Sequence, residues 1–572
     1  MQNPKELIRN YLKNWLSHNN ISVEFEVSLV SNSTFGDFTS NIAMIAVKEF
    51  KGVNNPRILA EKIVTFLKES HEINEIFDKI EVAGPGFINL FLSSKHIFEK
   101  LNEIVQKGVE FGRLNNNTPR KVIVEFGDPN PFKEIHIGHL RNFCIGESFS
   151  KLLEAQGNQV TRANYQGDVG LHVAKAMWGL LKREEAFLDS GKSEDEKIMI
   201  LAESYVEGAT EFENNEAAKQ DIIDINKKIY GEDESLHQLW EEGKKVSLEH
   251  FEELYKRVGL SYDKYYFESV TAKKGKEIVL SHIEDGVFER SDGAVVYRGE
   301  NEGLHTRVFL TSADYATYEG KDLALAILKD EDGEYDESVI LTGNEQLEYF
   351  QVMLAALKKI APELAEKTKH FTFGHVRLKD GKMSSRTGDV ISAQWLLDEA
   401  VKKVSNSFPE MNAETAEKVG IGAVKYSMLK FSIPSDIHFD FDESITLEGN
   451  SGPYLQYTYV RTLSVRNKFE ALNPKSETNS NNQIQSLESE EKDLLRFLSQ
   501  YPYHLEIAAK EFAPNLLCNY LFELSQKFNL FYQKCKIIGS DNEEFRLHLT
   551  LATGIVIQNG LQILGIETVE KM

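Results

Sequence analysis

Cysteine is scarce in this chain, and its spacing excludes the sites that cysteines usually build. The three residues of this type, Cys144, Cys518 and Cys535, are scattered over 572 positions. No C-x-x-C pair is present, so we expect neither a structural zinc site nor a disulfide framework. Cys144 is most simply a buried apolar side chain.

Long hydrophobic runs are absent as well. No apolar stretch approaches the roughly 18 residues that are needed to span a bilayer. The segment from Met1 to Leu16 alternates charged and apolar residues at helical spacing, and it lacks the hydrophobic core of a signal peptide. The sequence therefore predicts a cytoplasmic protein without membrane contact.

Positive charge is in deficit. There are 65 Lys and Arg residues against 89 Asp and Glu residues, which gives a formal net charge of −24. This balance argues against indiscriminate nucleic-acid binding, because phosphates need local positive charge. A specific nucleic-acid partner that is held on local basic patches stays compatible, and a cationic substrate would also suit an acidic protein.

The length exceeds what one hydrophobic core supports, and shifts in composition divide the chain. A sequence of 572 residues is expected to form about three or four units. Residues 1–112 are predicted as a small α+β unit, residues 119–390 as an α/β unit and residues 451–572 as a helical bundle. Residues from about 181 to 274 are acidic with a helical pattern, which indicates an insertion. Residues 391–450 are predicted to be a helical connection.

The α/β unit begins with a strand, a helix and a second strand. These are expected at Lys121–Phe126, Gly138–Gly157 and Gln159–Tyr165. Short joints between them indicate a βαβ unit and thus a parallel sheet, with its site at the carboxyl ends of the strands. Later strands at Arg307–Thr311 and Ser338–Gly343 are expected to extend the same architecture.

The stretch "PFKEIHIGHLRN" stands at the junction between that first strand and its helix. A helix that begins near Gly138 offers free N–H groups and the positive end of its dipole to a phosphate. His136 and His139 flank this start and can donate to phosphate or ribose oxygens, while Lys133 adds a mobile positive charge. The cluster suits an ATP site. Two alternatives to an ATP site remain: the histidines could be half of a metal site, or they could cap the helix without a chemical role.

A second cluster, "LKDGKMSSRTGDV", lies far downstream at Leu378–Val390. Such a glycine-flanked loop can close over a triphosphate, with Lys382 countering the charge that builds on the leaving pyrophosphate. Taken alone, the loop could equally be a surface turn.

Together, "HIGH" and "KMSSR" resemble the signatures of class I aminoacyl-tRNA synthetases, and the chain as a whole resembles the arginyl-tRNA synthetase family. The resemblance covers nearly the whole sequence. Five blocks carry it, in the family's order: "FGDFTSNIAM", "VAGPGFINLFL", "VEFGDPNPFKEIHIGH", "EGNSGPYLQYTYVR" and "GLQILGIETVEKM".

This resemblance implies the fold class: a class I Rossmann-type parallel-sheet catalytic domain, with an N-terminal α+β domain that contacts tRNA and a C-terminal all-α anticodon-binding bundle. It also implies the reaction. L-arginine would be activated with ATP to arginyl-adenylate and transferred to the 3′-terminal adenosine of tRNA(Arg) for protein synthesis. Mg²⁺ would arrive on ATP, tRNA would bind before activation, and the enzyme would be a monomer.

The resemblance also assigns nucleotide and catalytic residues. Charge stabilisation during catalysis would come from His136, His139, Lys133 and Lys382. ATP would contact His136, Gly138, His139, His375, Val376, Lys382 and Ser384. No protein-bound metal is expected among these residues.

Arginine presents a planar fork of donors that carboxylates and neutral acceptors grip best. Carried over from the family's motifs, Tyr318, Asp322 and Gln346 would hold the guanidinium. Glu125 and Asn130 would hold the amino-acid head, and Asp128 would add a further carboxylate near the substrate. Ordinary solvated polar residues or helix caps are the alternative for each.

Transfer RNA would contact both ends of the chain. Asn89 belongs to the N-terminal block that would meet the tRNA elbow. Tyr457, Tyr532 and Met572 would belong to the anticodon platform, where exposed aromatic faces stack unpaired bases. By spacing alone, the tyrosines would be core residues of the bundle.

The sequence departs from the family's pattern at several positions. Asp128 replaces a small residue, Tyr349 stands at a usual histidine position, and Ser385 replaces a second lysine. A Gly-Asp-Trp-Gly-Thr-Gln pattern is altered at Val169, Leu171 and His172. These differences put fine geometry in doubt and leave the predicted reaction in place.

Three rival hypotheses remain. Another class I synthetase would want metal-binding thiols or a longer editing insertion. A small-molecule adenylate-forming ligase would not need the terminal domains. A synthetase-like protein that binds tRNA or a partner without catalysis is opposed by the intact His136, His139 and Lys382.

Overall fold

The computed structural model describes residues 3–30, 33–114, 118–379, 391–472 and 487–572. The chain divides into two compact units. The first unit comprises Met1–Phe111, Thr462–Tyr501 and Glu523–Val556. The second unit comprises Gly112–Arg461, Pro502–Phe522 and Ile557–Met572.

The N-terminal part of the first unit is an antiparallel sheet packed with helices. Its strands, in the spatial order β1-β2-β4-β3, are β1 (Val27–Leu29), β2 (Phe38–Ser40), β3 (Phe77–Ala83) and β4 (Phe87–Leu92). Its helices are α1 (Pro4–His18), α2 (Ile42–Ala46), α3 (Pro56–Lys68), α4 (His71–Ile76) and α5 (Ser94–Lys107). Asn3 and Asn55 cap α1 and α3, each followed by a proline that starts the helix. The predicted α+β class is confirmed.

A five-stranded parallel sheet forms the centre of the second unit. Its strands, in the spatial order β12-β11-β5-β6-β7, are β5 (Lys121–Glu125), β6 (Gln159–Gln166), β7 (Lys264–Phe267), β11 (Glu337–Gly343) and β12 (Thr368–Phe373). Val122 to Glu125 are all buried, as expected for a parallel strand covered on both faces. The chain leaves β5 toward β6 on one side and returns as β11 on the other. The crevice between β5 and β11 is therefore a topological switch point, where ligands bind in open α/β sheets.

Helices connect these strands and enclose two hydrophobic cores. They are α6 (Ile137–Ala155), α7 (Leu171–Leu181), α8 (Glu184–Leu188), α9 (Glu194–Asn214), α10 (Glu216–Tyr230), α11 (Glu234–Arg257), α12 (Glu268–Ser281), α13 (Tyr318–Glu331), α14 (Leu347–Ile360) and α15 (Pro362–Lys367). One core joins the sheet to α13 and α14, through Ile123, Ile340, Leu323 and Met353. The other lies among the helices that follow β6 and includes Met177 and Ile222.

The stretch predicted as an acidic insertion, residues 181–274, is helical through α11. Its last part contains β7, which pairs with β6 in parallel register from Ala163 opposite Lys264 to Gln166 opposite Phe267. The central sheet therefore takes one of its two edge strands from within that range.

The strand expected at Arg307–Thr311 exists, but its predicted place in the parallel sheet is wrong. It forms β10 (Arg307–Leu310) and pairs antiparallel with β9 (Ala294–Tyr297), which in turn pairs with β8 (Glu289–Ser291). Asp292 and Gly293 both have positive φ, 49° and 83°, as the tight turn of a hairpin requires. This hairpin offers β10 an edge to pair with, away from the central sheet.

The remaining elements are mainly helical. They are β13 (Val376–Leu378), α16 (Ala393–Ser407), α17 (Ala413–Leu429), β14 (Ile437–Phe439), α18 (Phe441–Ser444), α19 (Gly452–Leu472), α20 (Ser489–Ser499), α21 (Tyr501–Lys510), α22 (Pro514–Lys534) and α23 (Glu543–Ile563). β14 pairs in parallel with β13, so the connection predicted as helical also carries one short strand. Among the helices described, none is long and apolar enough to cross a membrane.

Candidate active site

The start of α6 is built from its two histidines. His136 is the N-cap residue, and its Nδ1 accepts hydrogen bonds from the backbone N–H groups of Gly138 at 3.1 Å and His139 at 3.4 Å. His139 Nδ1 accepts in return from the backbone N–H of His136 at 3.2 Å. This reciprocal arrangement is a capping box made of imidazoles. The two rings stack, with centroids 3.7 Å apart.

These hydrogen bonds fix the protonation of both rings. Because each Nδ1 accepts, each neutral imidazole carries its proton on Nε2 and can donate from that side. Burial and then the nearby Lys133 lower the pKa of His136 to about 4. Burial and then His136 hold the pKa of His139 well below its ordinary value. The pair therefore presents two neutral Nε2–H donors at physiological pH.

Gly138 keeps the space beside the first ring open. A Cβ atom at this position would lie 2.9 Å from Cε1 of His136. The same Cβ would lie 3.0 Å from Nδ1 of His136, so any larger residue would press on the imidazole. The glycine of the motif is thus required by the histidine cap itself.

Carboxylates gather at the ends of the neighbouring strands. Glu125 ends β5 and forms an ion pair with Lys329, and both side chains are almost fully buried. Asp128 follows with a positive φ of 47°, and its Oδ1 accepts from the backbone N–H of Tyr165 at 2.8 Å. Burial and then the charge of Glu125 hold the pKa of Asp128 well above its ordinary value. The extra carboxylate seen in the sequence is thus engaged with β6.

Asp322, one of the predicted arginine ligands, has its orientation and its pKa set by its surroundings. It lies in the first turns of α13, where the Tyr349 hydroxyl donates to its Oδ2 at 2.7 Å. The same hydroxyl lies 3.2 Å from Oε1 of Gln346. Burial raises the pKa of Asp322 to about 8, against the hydrogen bond from Tyr349, which lowers it. A cation placed beside this carboxyl would favour its ionised form.

A buried pair, Glu268 and Lys321, was not predicted from the sequence. The Lys321 ammonium donates to Glu268 Oε2 at 2.5 Å, and it lies 5.2 Å from the ring centroid of Tyr318. Burial raises the pKa of Glu268, and Lys321 opposes this shift. Two signals could have found the pair: Glu268 directly follows a strand of the central sheet, and Lys321 directly precedes Asp322.

One cavity of about 870 Å³ joins these groups at the switch point of the sheet. Every predicted arginine or ATP ligand that the structure describes lines it: Glu125, Asp128, Asn130, His136, Gly138, His139, Tyr318, Asp322, Gln346, His375 and Val376. The cavity wall also contains residues for which no binding role is predicted from the sequence: Asn142, Tyr165, Glu268, Glu345 and Tyr349. The volume is in the range of about 300–1,000 Å³ that is usual for ligand pockets.

Lys133, predicted as a catalytic residue, is not part of that wall. Its ammonium lies 5.6 Å from the ring centroid of Tyr205, and its backbone N–H donates to the carbonyl of Asn130 at 3.3 Å. Burial and then Lys175 lower its pKa.

The described residues that flank the second signature loop lie at the cavity. Leu378, at the end of β13, and Ile391 both line it, and the backbone N–H of Ile137 donates to the carbonyl of Ile391 at 2.9 Å. Arg141 of α6 fixes the approach to β13 by donating to the carbonyl of Gly374 at 2.5 Å. Lys382 and Ser384 themselves lie outside the described residues.

His172, one of the departures from the family pattern, contacts the backbone of Gly167 in the cavity wall. Its Nε2 donates to the carbonyl of Gly167 at 2.8 Å. Burial and then Lys133 lower its pKa to about 3, so the ring is neutral. A Cβ on Gly167 would lie 2.3 Å from Oδ1 of Asn130. The histidine thus holds the backbone against which a predicted arginine ligand packs.

The residues predicted to contact tRNA lie in different surroundings. Asn89 is buried in the first unit, where its Oδ1 accepts from the Thr39 hydroxyl at 2.8 Å. Tyr457 is half-buried, with the Arg461 guanidinium 4.8 Å from its ring centroid. Tyr532 is 42% exposed and Met572 is half-buried. Their roles stay predictions.

Metal ligands do not cluster in the part of the chain that the structure describes. No group of three or more His, Cys, Asp or Glu side chains there could hold a metal ion.

A parallel sheet with a histidine-capped helix at its switch point has the architecture of a class I tRNA synthetase catalytic domain. The family model described as "tRNA synthetases class I (R), catalytic domain" matches residues 100–441. The "Arginyl tRNA synthetase N terminal domain" matches residues 2–92, and the "DALR anticodon binding domain" matches residues 455–572. The chain belongs to the arginyl-tRNA synthetase family, as the resemblance predicted.

Named relatives match over nearly their full length. The arginine–tRNA ligase of Fusobacterium nucleatum is 33% identical over 558 residues, covering 96% of this chain and 95% of that protein. That of Treponema denticola is 32% identical over 572 residues, again covering 96% and 95%. The Thermus thermophilus arginyl-tRNA synthetase structure superposes with a TM-score of 0.80 at 22% identity, covering 99% of this chain and 100% of that chain. The likeness to that structure establishes the fold, and the predicted fold class is confirmed.

Proposed function

We propose that the cavity at the switch point carries both steps of arginine activation and transfer. Family membership gives the chain the activity of an arginine–tRNA ligase, with ATP, arginine and tRNA(Arg) as substrates. One observation supports the residue assignment above all. The histidine cap of α6 and the carboxylates beyond β5 and in α13 line a single cavity.

The ATP half of the site is the start of α6. The dipole of the helix favours the phosphates, and the Nε2–H groups of His136 and His139 donate to their oxygens. Neutral imidazoles suit this role, because Nδ1 of each ring accepts the capping hydrogen bond while Nε2–H stays available as a donor. The N–H groups at the start of α6, predicted from the sequence to be free, are instead occupied: Ile137 donates to the carbonyl of Ile391, and Gly138 and His139 donate to Nδ1 of His136. Mg²⁺ enters bound to the phosphates of ATP, as part of the substrate. Val376 and His375 flank the adenosine, and Lys382 and Ser384 of the second loop complete the binding of the triphosphate.

The arginine half is the group of carboxylates. Asp322, Gln346 and Tyr318 hold the guanidinium, and Glu125, Asn130 and Asp128 lie toward the amino-acid head. A guanidinium supplies the positive charge that the ionised form of Asp322 needs, and its planar fork matches a carboxylate in geometry. A neutral side chain of similar size would leave the buried polar groups unpaired, which gives the site its discrimination.

The chemistry then needs positioning rather than covalent help. The arginine carboxylate oxygen attacks the α-phosphorus in line, a new O–P bond forms, and the bond to pyrophosphate breaks. His136, His139, Lys133 and Lys382 stabilise the charge that builds on the phosphoryl and leaving oxygens. In the second step, a ribose hydroxyl of the terminal tRNA adenosine attacks the arginyl carbonyl, and AMP leaves.

The terminal parts of the chain recognise tRNA(Arg). Residues 1–112, the part in which Asn89 is buried, contact the elbow. Residues 451–572, with Tyr457, Tyr532 and Met572, read the anticodon. Residues 119–390 form the catalytic domain, joined to the anticodon domain by residues 391–450. The enzyme acts as a cytoplasmic monomer, and tRNA binds before arginine is activated.

The test is charging of total tRNA with arginine, with lysine and cysteine as control amino acids. ATP–pyrophosphate exchange is measured beside it, with and without tRNA. Arginine-specific charging with tRNA-dependent exchange is the expected result. Exchange without tRNA would contradict the order of binding while leaving the enzyme in place.

A second outcome would contradict the activity itself. If folded protein binds tRNA but charges it with none of the amino acids, the chain is a tRNA-binding protein. A His139→Ala variant, which removes one proposed phosphate donor, provides the matched inactive control.

A further inference from the structure

Asn142 is a buried polar residue in the cavity wall that the two signature motifs leave without a role. It lies on α6, three positions after His139, and its side chain is 5% exposed. Its Nδ2 donates to the backbone carbonyl of Leu341 in β11 at 3.1 Å. Because only the nitrogen end of the amide can donate to a carbonyl, this bond fixes which end of the side chain is the oxygen.

The other end of this amide lacks a donor. Within the described part of the chain, no group donates a hydrogen bond to Asn142 Oδ1. Buried polar atoms in proteins are almost always paired, and leaving one unpaired is unfavourable. An unpaired acceptor in the wall of a substrate cavity therefore points to a donor on the substrate.

The contacts around Asn142 indicate which substrate supplies that donor. Glu125 and Asp128, proposed for the head of arginine, lie at the end of β5 and against β6, whereas Gln346, proposed for the guanidinium, follows β11. Asn142 is fastened to β11, on the other side of β5. The preceding residue, Arg141, donates to the carbonyl of Gly374, beyond the end of β12. Asn142 is thus on the side from which His375 and Val376 reach the cavity.

The chemistry of ATP narrows the partner further. At neutral pH the phosphate oxygens only accept hydrogen bonds, so the donors of ATP are the N6 amino group of adenine and the two ribose hydroxyls. We propose that Asn142 Oδ1 accepts a hydrogen bond from the adenosine moiety of ATP, which makes Asn142 a nucleotide-specificity residue. The proposal rests on the proposed function, because it assigns the ATP half of that cavity.

The test compares ATP with three analogues that each lack one donor: purine riboside 5′-triphosphate, 2′-deoxy-ATP and 3′-deoxy-ATP. For each nucleotide, kcat/KM in arginine charging is measured for the wild type and for Asn142→Leu. The ratio of kcat/KM for ATP to that for an analogue does not depend on the fraction of folded enzyme. A partly misfolded variant therefore still gives a result.

In the wild type, the analogue without the bonded donor should lose roughly 10- to 100-fold in kcat/KM, since Asn142 Oδ1 is then buried unpaired. In Asn142→Leu the same analogue should lose less than about threefold, because no acceptor remains to be left unpaired. The analogue that shows this change identifies the amino group or the hydroxyl. Equal ratios in the wild type and Asn142→Leu for all three analogues would overturn the proposal.

Ser148 offers the matched control. It lies on the same helix, its hydroxyl is fully buried and unpaired among the described residues, and it does not line the cavity. Ser148→Ala should keep the wild-type ratios. If the wild type charges no arginine at all, the proposed function fails. The same ratios, measured as nucleotide dissociation constants by calorimetry, then still decide the role of Asn142.

Discussion

The hydroxyl of Tyr349 donates a 2.7 Å hydrogen bond to Oδ2 of Asp322, the carboxylate proposed to hold the guanidinium of arginine. Tyr349 stands where the family pattern has a histidine. Burial and then Asp322 hold the pKa of this tyrosine well above its ordinary value, so it stays a neutral donor. A neutral donor orients the carboxylate without adding a second cation beside the substrate.

Replacing Tyr349 by Phe should weaken arginine binding more than catalysis. Without the hydroxyl, Asp322 loses the hydrogen bond that lowers its pKa, so more of the carboxyl is protonated. We expect KM for arginine at pH 7.5 to rise by roughly 3- to 10-fold, with kcat within about twofold of the wild type. Initial rates of charging over a range of arginine concentrations give both constants. Tyr335→Phe removes a buried hydroxyl outside the cavity wall and should leave KM unchanged. An unchanged KM in Tyr349→Phe would show that the Asp322 contact does not serve arginine.

The raised pKa of Asp322 predicts a pH dependence of arginine binding. In the free site the carboxyl holds its proton up to about pH 8, whereas the bound guanidinium, charged throughout, favours the carboxylate. Binding therefore releases a proton, and KM for arginine should fall as pH rises toward 8, by at most about tenfold per unit for this one group, then level off. In Asp322→Asn, the slope of log KM against pH should be smaller by up to one unit, because this group no longer releases a proton. An equally steep slope in this variant would assign the proton to another group, such as Asp128.

The same shift acts on the stability of the free protein. A carboxyl whose pKa is raised on folding binds its proton more tightly in the folded state. Its contribution to stability is therefore lost as pH rises from the ordinary value of 3.8 toward 8. The melting temperature of the wild type should fall relative to that of Asp322→Asn between pH 5 and pH 8. Saturating arginine should reduce the difference.

Because His136 is both a helix cap and a proposed phosphate donor, two substitutions at this position should separate its effect on stability from its effect on catalysis. His136→Ala removes both the cap and a phosphate donor, so we expect about 1 kcal/mol lower stability and a kcat of pyrophosphate exchange reduced by roughly 100- to 1,000-fold. His136→Asn restores a good cap but places no imidazole Nε2–H at the phosphates, so stability should recover and kcat should not. Thermal melting and exchange rates, measured on the same samples, test this pair. Recovery of kcat in the Asn variant would reduce His136 to a structural cap.

Charge stabilisation by the two lysines should be unequal. The ammonium of Lys133 lies near Tyr205, outside the cavity wall, whereas Leu378 and Ile391, which precede and follow the segment with Lys382, line that wall. Lys382→Ala should lower kcat of exchange by roughly 100- to 1,000-fold, and Lys133→Ala by about tenfold. Single-turnover adenylate formation with the two variants side by side measures the step directly. Equal losses would place both ammonium groups at the leaving pyrophosphate.

The sequence predicts which residues share the cavity where those residues follow strand ends in short blocks. Glu125 ends β5, Asp128 and Asn130 follow it, and the helix that His136 caps comes within the same block. Since the carboxyl ends of parallel strands meet at one edge, local sequence is enough to bring these residues together.

Residues that depend on long-range pairing were missed for the opposite reason. Glu268 enters the site only because β7 pairs with β6, and this strand of four residues stands between helices of 24 and 14 residues. The wrong prediction for β10 could have been avoided from local sequence. Asp-Gly between two short strands signals a hairpin, and the edge of that hairpin is an alternative pairing partner for β10. The pairing of β11 with β5, more than 200 positions apart, has no local signal of its own.

The capping of α6 by His136 and His139 has a consequence for the history of such chains. Most helices are capped by residues that can be exchanged for one another with little effect on function. Here a mutation that removes a proposed phosphate donor also frays the first turn of the helix, so selection for folding alone preserves the histidine pair. A descendant that abandoned aminoacylation but kept its fold would need a substitute cap, such as Ser, Asp or Asn, at position 136. That single letter would mark the loss of activity in a sequence otherwise unchanged around it.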